Sequence, residues 1–213
     1  HRWLDRCLAQ MEATEPLYGY EQALLPIVQG GTYPDLRRQS AAFVASRATN
    51  GVAIGGLSVG EPPETMYELT ALVDQELPKE QPRYLMGVGT PANILESIHR
   101  GVDMFDCVLP TRLARNGSAY TSRGCIPVKA ARYKDDFGPI DPDCHCYSCT
   151  HHSRAYIRHV LNVNEILSSR RLTIHNLHFY LNLMRNCRKA IKEGKFQAFR
   201  ERFLAAYCEN QLG

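Results

Sequence analysis

No apolar run in the 213 residues approaches the roughly 20 that a bilayer-spanning helix needs. A membrane protein is therefore not expected. His1-Arg-Trp-Leu-Asp5 lacks the charged-then-apolar layout of a secretory leader. It also starts on His rather than Met, so a piece of a longer polypeptide is expected. No internal repeat or low-complexity tract breaks the chain. Eight cysteines at this length are too few for a disulfide framework, and metal binding in a reducing cytosol is the expected use. With 44% hydrophobic and 22% charged residues the composition is that of a globular protein with a sizeable core, in one or two domains.

The net charge of +3 conceals an asymmetry. Residues 1–110 carry 8 Lys+Arg and 14 Asp+Glu, a net of −6, and residues 111–213 carry 17 and 8, a net of +9. A basic half on a near-neutral protein suggests a localised polyanion-binding face. Basic helices that are merely solvated explain the composition equally well.

The first half alternates apolar runs with helical stretches. A helix over residues 1–16 precedes the run Ala23–Gln29, which ends in Gly30-Gly31 and leads to a helix over about 34–49. Gly51–Gly55 is followed by the loop Leu57-Ser-Val-Gly-Glu61, and Pro62-Pro63 opens the next helix, where a missing backbone donor is tolerated. Arg83–Val88 precedes a helix capped by Thr90-Pro91, and Val102–Val108 is the fourth run. Short, continuously apolar strands separated by helices predict a parallel sheet covered on both faces. Both a Rossmann-like sheet and half of a (β/α)8 barrel satisfy that pattern, and both place function at the carboxyl ends of the strands.

Those ends carry Gln29-Gly-Gly31, Gly55-Gly-Leu57, Met86-Gly-Val-Gly89 and Asp106-Cys107. Any one glycine pair could simply make a tight turn. Four such ends together look like a pocket floor that backbone groups approach closely. Asp106 is then the candidate reactive group, although strand-end acids often serve as helix caps or salt-bridge partners. Asp103, on the opposite side of the strand, reads as structural.

In the second half, Cys144-His-Cys-Tyr-Ser-Cys149 brings three thiolates within six residues. A tetrahedral zinc site wants a fourth ligand. His145, His151, His152, His175 and His178 are candidates, with Cys187 and Cys208 more distant. His175 reads as lying at a helix start, where its side chain could reach back to the cluster. A closed Cys3His set is structural rather than catalytic. Arg154–Leu161 and Leu177–Lys192 have helical periodicity with Arg185, Arg188, Lys189 and Lys192 off the apolar stripe. Gly194 marks a stop before a last amphipathic helix from Phe196 to Tyr207.

Met104-Phe-Asp-Cys-Val-Leu-Pro-Thr-Arg112, Val28-Gln-Gly-Gly31, Ile54-Gly-Gly-Leu57 with Val59-Gly-Glu61, Tyr84–Gly89 and the cysteine cluster with His175 resemble the tRNA-guanine transglycosylases. The resemblance runs from about residue 20 to 207. It implies an α/β fold, the C-terminal half of a (β/α)8 TIM barrel. Residues 1–110 would be strands five to eight, 111–185 a zinc-binding subdomain and 186–213 C-terminal helices closing the barrel. It further implies exchange of guanine at the tRNA wobble position for a 7-deazaguanine base, with Asp106 as the nucleophile. Gln29 and the Gly56 backbone would bind the base edge, the Leu57 carbonyl its exocyclic amine, and Met86 one face, while Glu61 supports the loop. Arg112 and Arg115 would contact RNA, and Cys144, Cys146, Cys149 and His175 would hold a structural Zn2+. Val59 points to the bacterial branch, which uses 7-aminomethyl-7-deazaguanine.

The same resemblance implies a cytoplasmic enzyme and a homodimer through the zinc subdomain, with Tyr156 and His159 at interface positions and His152 where an aromatic is common. Thr90 stands where many bacterial relatives have Lys. The family's acid/base Asp and its main base-recognising Asp belong to a half barrel preceding His1, so this polypeptide alone is expected to be inactive. Competing readings are a eukaryotic-type queuine enzyme, an archaeosine transglycosylase and a zinc-stapled RNA-binding module without chemistry. A catalytic zinc hydrolase is the weakest.

Overall fold

Four very short strands pair in parallel in the computed structural model, which describes residues 1–48 and 50–207. In chain order the first unit contains α1 (Arg2–Ala13), β1 (Ile27–Val28), α2 (Pro34–Ala45), β2 (Val52–Ile54), α3 (Pro63–Glu76), β3 (Arg83–Leu85), α4 (Pro91–His99) and β4 (Met104–Phe105). This unit spans His1–Cys107. Each expected element is present, though the strands are shorter than the apolar runs that signalled them. Prolines open α2, α3 and α4 in the first turn, where their fixed φ suits a helix and no donor is lost. The Thr90 hydroxyl accepts the Asn93 amide at 3.2 Å, so this threonine is a helix cap. Thr49, the expected end of the second helix, lies outside the described residues.

The sheet order is β1-β2-β3-β4, with every neighbour parallel. Val28, Ile54 and Leu85 are fully buried and pack with Val44, Met66, Leu69 and Val73 from the helices. The alternate positions face the other way. There Ile27 and Met104 remain exposed, at 37% and 39%. The expectation of cover on both faces is therefore corrected, since helices cover one face among the described residues. Strands of two or three residues are too short for sequence alternation to separate the cases. Along the β1 edge an open apolar cleft of about 610 Å³ runs past Trp3, Leu4, Cys7, Ile27, Leu36 and Val44.

The second unit begins at Val108. It contains α5 (Leu109–Arg115), a hairpin of β5 (Ser118–Thr121) and β6 (Gly124–Pro127), a 3-10 turn at Ala131–Tyr133, α6 (Tyr147–His151), α7 (Arg154–Asn162), α8 (Ile166–Lys192) and α9 (Phe196–Ala206). Pro110 sits in the first turn of α5. The hairpin turns through Ser122-Arg123, which lacks the Asn-Gly or Asp-Gly signature that marks two-residue hairpin loops in a sequence. Helix α8 begins eleven residues before Leu177 and runs for 27 residues, about 40 Å. Gly194, with φ of 66°, separates it from α9. No helix among the described residues is long and apolar enough to cross a membrane.

Asn176 fastens this unit. Its side chain is fully buried, donates to the Pro110 and Ser118 carbonyls at 2.9 and 3.2 Å and accepts the Tyr120 amide at 3.0 Å. One amide therefore ties α5, β5 and α8. Asn176→Ala would leave the Tyr120 amide and the Ser118 carbonyl unpartnered away from water, and we expect it to destabilise the unit by about 2–3 kcal/mol. The denaturant midpoint of the variant measures this, and a shift worth under half a kcal/mol would show that the amide is dispensable.

Candidate functional site

Strand register assembles the rim. Ile27, Ala53, Tyr84 and Met104 lie in one row across the four strands. Two residues further along each strand are Gln29, Gly55, Met86 and Asp106. Side chains recur on one face every second residue, so these four share a face at the carboxyl ends. The ladder continues into the rim, with the Gly55 amide on the Val28 carbonyl at 3.0 Å and Met86 on Ile54 at 3.1 Å.

Asp106 is exposed and held by two donors. The Tyr84 hydroxyl lies 2.7 Å and the Gly87 amide 2.9 Å from Oδ1. The Gly87 amide, followed by the Tyr84 hydroxyl, keeps the carboxyl below its ordinary pKa, so the group is ionised at neutral pH. The reciprocal effect pushes the tyrosine up. Tyr84 is a site residue that the sequence signals only by its position two residues before Met86, on the same strand face. Behind Asp106, the Cys107 side chain occupies the space that a Cβ at Gly89 would need, so only glycine lets β3 and β4 end this close.

Side chains of β1 and its end crowd glycines 55 and 56. A Cβ at Gly56 would sit 2.7 Å from the Gln29 side-chain oxygen, and one at Gly55 2.5 Å from Ile27 Cδ1 and 3.0 Å from the Gln29 nitrogen. Gly56 is also left-handed, with φ of 64°. Leu57 turns its side chain into the core, while Val59 is 79% exposed at the loop tip and Met86 37% exposed on the rim. Ser58 takes a left-handed φ of 61°, unusual for a side-chain-bearing residue. Glu61 compensates by accepting the Ser58 and Val59 amides, the latter at 3.0 Å. Partial burial would raise its pKa, but those amides and the Arg37 charge carry it downward overall.

Asp103 is structural, as expected. Its carboxylate accepts the Arg83 amide at 2.9 Å at the amino end of β4, although it is exposed rather than deeply placed. Arg112 and Arg115 are exposed in the last turn of α5, in the second unit.

The Cys144, Cys146, Cys149 and His175 ligand atoms all lie within 4.8 Å of one another. His175 is fully buried in the third turn of α8, which corrects its expected place at a helix start. Its Nδ1 is 3.6, 3.5 and 3.3 Å from the sulfurs of Cys144, Cys146 and Cys149. Its Nε2 is 2.6 Å from the Tyr120 carbonyl. A carbonyl only accepts, so Nε2 carries a proton and Nδ1 is the ring nitrogen that faces the sulfurs. A carbonyl that holds one ring nitrogen in this way aims the other at the place a metal ion would take. Burial disfavours a charged ring, yet the sulfurs and the Tyr120 carbonyl lift its pKa to about 9. Cys146 is driven far down by bonds from Cys144 and Cys149, and Cys149 is driven up in return. This soft, electron-rich set could hold a metal ion and fits tetrahedral thiolate–imidazole coordination.

Of the other candidates, His178 approaches Cys144 at 3.5 Å but stands outside the four-atom group. His151 bonds the Tyr147 carbonyl and His152 stacks on Tyr156. Burial pushes the Cys187 thiol up to about 12, away from ligand chemistry. Cys208 lies outside the described residues.

These features define a parallel α/β unit with an ionised aspartate at a glycine-lined rim, joined to a unit with a Cys3His group that could hold a metal ion. A family model described as queuine tRNA-ribosyltransferase matches residues 1–209, and the chain belongs to that family. It is 53% identical over 190 residues to the queuine tRNA-ribosyltransferase of Caldanaerobacter subterraneus subsp. tengcongensis, covering 89% of this chain and 51% of the relative. With the enzymes of that name from Bacillus mycoides and Staphylococcus epidermidis it shares 50% identity over 210 and 209 residues. Those alignments cover 99% and 98% of this chain and 54% of each relative. The chain thus spans about half the length of the curated relatives it matches.

Tyr84→Phe removes one donor from the Asp106 carboxylate and must raise its pKa. A carboxyl-carbon NMR titration would show the midpoint moving up toward the ordinary value near 3.9. An unmoved midpoint would mean that the tyrosine is not a functional donor.

Proposed function

We propose that this chain is the C-terminal half of a tRNA-guanine transglycosylase with Asp106 as its nucleophile. The observation that carries the reading is the ionised Asp106 carboxylate on the same rim as Gln29, Gly55-Gly56 and Met86. With Oδ1 engaged by Tyr84 and Gly87, Oδ2 attacks C1′ of the target nucleotide. The bond from C1′ to guanine N9 breaks as the bond to Oδ2 forms, through an oxocarbenium-like transition state. Guanine leaves with the bonding pair and a proton. The incoming deazaguanine then attacks C1′, forms the new glycosidic bond, loses its own N9 proton and frees the carboxylate.

Gln29, the Gly56 amide and the Leu57 carbonyl would read the base edge, Met86 would cover one face, and Glu61 would hold the loop. The nucleotide must leave its stack for the bond to be reached, and Arg112 and Arg115 would hold the flanking phosphates. Val59 at the loop tip favours 7-aminomethyl-7-deazaguanine over queuine.

The strands would be the last four of a (β/α)8 barrel. Sequential parallel order with helices on one face supports a singly wound sheet, because right-handed crossovers between adjacent strands keep every helix on the same side. The exposed Ile27 and Met104 face and the cleft along β1 are the surfaces a preceding half barrel would cover. That half would bring the acid/base and the main base-recognising aspartate. Cys144, Cys146, Cys149 and His175 would hold a zinc ion, whose contribution is structural cross-linking. A cytosolic homodimer through this region, using Tyr156, His159 and His152, completes the reading.

In the full-length enzyme, Asp106→Asn should abolish the covalent RNA adduct seen on a denaturing gel while RNA binding persists. A variant that still forms the adduct would exclude Asp106 as nucleophile. A zinc RNA-binding module would show no adduct even with Asp106 intact. Residues 1–213 alone should show no base exchange, and exchange by that polypeptide would remove the need for a preceding half. Chelation should release one zinc per chain and lower the thermal midpoint by several degrees. A chain that holds no zinc or is indifferent to its loss would refute the structural metal.

A further inference from the structure

Among the described residues of the first unit, Arg37 is the cation sunk completely, at 0% exposure. It sits in the first turns of α2, and its guanidinium bridges two rim loops. Nε donates to the Gly31 carbonyl at 2.8 Å and one terminal nitrogen, Nη2, to the Gly56 carbonyl at 2.9 Å. The other, Nη1, is buried without a hydrogen-bond partner. Gly30 makes room for this arrangement, since a Cβ there would come within 2.8 Å of the Arg37 amide and 3.1 Å of its Cγ. Burial disfavours the Arg37 charge, and the Glu61 carboxylate partly offsets that cost. The guanidinium thus touches the loop after β1, the loop after β2 and the field of the residue that closes 57–60.

A buried charge is weak equipment for stability alone, because well-packed apolar side chains commonly do as well. Its geometric value is greater. Charge-assisted bonds to two carbonyls fix the planar guanidinium, and with it the spacing of both carbonyls. On one loop, Gln29 projects two residues before Gly31. On the other, Gly56 and Leu57 are the peptide itself. We infer that Arg37 is a positioning residue for base recognition, clamping the Gln29–Gly31 loop to the Gly55–Leu57 loop so that their polar groups meet a purine edge at one fixed separation. The inference rests on the transglycosylase reading of the rim, and it adds a residue that touches neither base nor RNA. Small misplacements of recognition groups are costly.

The experiment uses the full-length enzyme with Arg37→Met, which keeps length and packing but loses every donor, and Arg37→Lys, which keeps charge and one contact. Gly31 is exposed and Gly56 half-buried, so water can take up the freed carbonyls and both variants should fold. Arg37→Met is expected to raise KM for guanine at least tenfold, with calorimetric guanine affinity falling in step. kcat at saturating guanine should stay within threefold, and Arg37→Lys should recover part of the loss. Amide hydrogen exchange over 55–57 should accelerate in Arg37→Met.

Unchanged KM and affinity in folded Arg37→Met would overturn the proposal, as would equal losses in kcat and thermal midpoint without a KM effect. If Arg37→Met fails to fold, Arg37→Lys decides: raised KM supports the clamp and normal KM overturns it. If the wild type exchanges no guanine, the reading of the rim falls instead. The clamp then stands or falls on amide exchange at 55–57, which needs no substrate.

Discussion

Parallel strands that pair in step impose a common address on residues far apart in the chain. Because Ile27, Ala53, Tyr84 and Met104 share one row, whatever stands two positions later is delivered to the same face of the same edge. The rim therefore depends on pairing between strands of only two or three residues. What keeps such short strands in step is the helix-side core of Val28, Ile54 and Leu85, since a slip by one residue would turn those apolar side chains outward. Burial on one face thus sets the chemistry on the other.

The second unit solves a comparable problem with two neighbouring residues of one helix. His175 takes the carbonyl of Tyr120 and Asn176 takes its amide, so both backbone polar groups of one hairpin residue are satisfied by α8. The helix is registered against the hairpin, and the imidazole is aimed before any metal is considered. These two side chains do the alignment, and the cysteine sulfurs would supply affinity for a metal ion.

Much of this was legible in the residues themselves. Prolines and Thr90 marked the helix starts, glycine pairs marked the strand ends, and the cysteine spacing announced a metal group. Three features were harder to read. The one-sided sheet was hidden because runs such as Gly51–Gly55 exceed the strands they contain, leaving too few positions for alternation to appear. The start of α8 was misplaced because Ile166–Leu172 interleaves Ser168, Ser169, Arg170 and Arg171 with few apolar residues, so its stripe is faint until packing supplies it. Arg37 gave no sign at all. A basic residue beside Arg38 in an exposed-looking helix turn looks solvated, and only the approach of two carbonyls from distant loops distinguishes it.

The Cys3His group would draw three ligands from a six-residue segment that runs into α6 and the fourth from α8, 26 residues after Cys149. With zinc bound, the folding equilibrium of this unit becomes coupled to free metal concentration. Above saturation, each tenfold change in available zinc would shift its stability by about 1.4 kcal/mol, provided the unfolded chain does not compete for the ion. The abundance of folded molecules would thereby be set partly by the metal available to the chain.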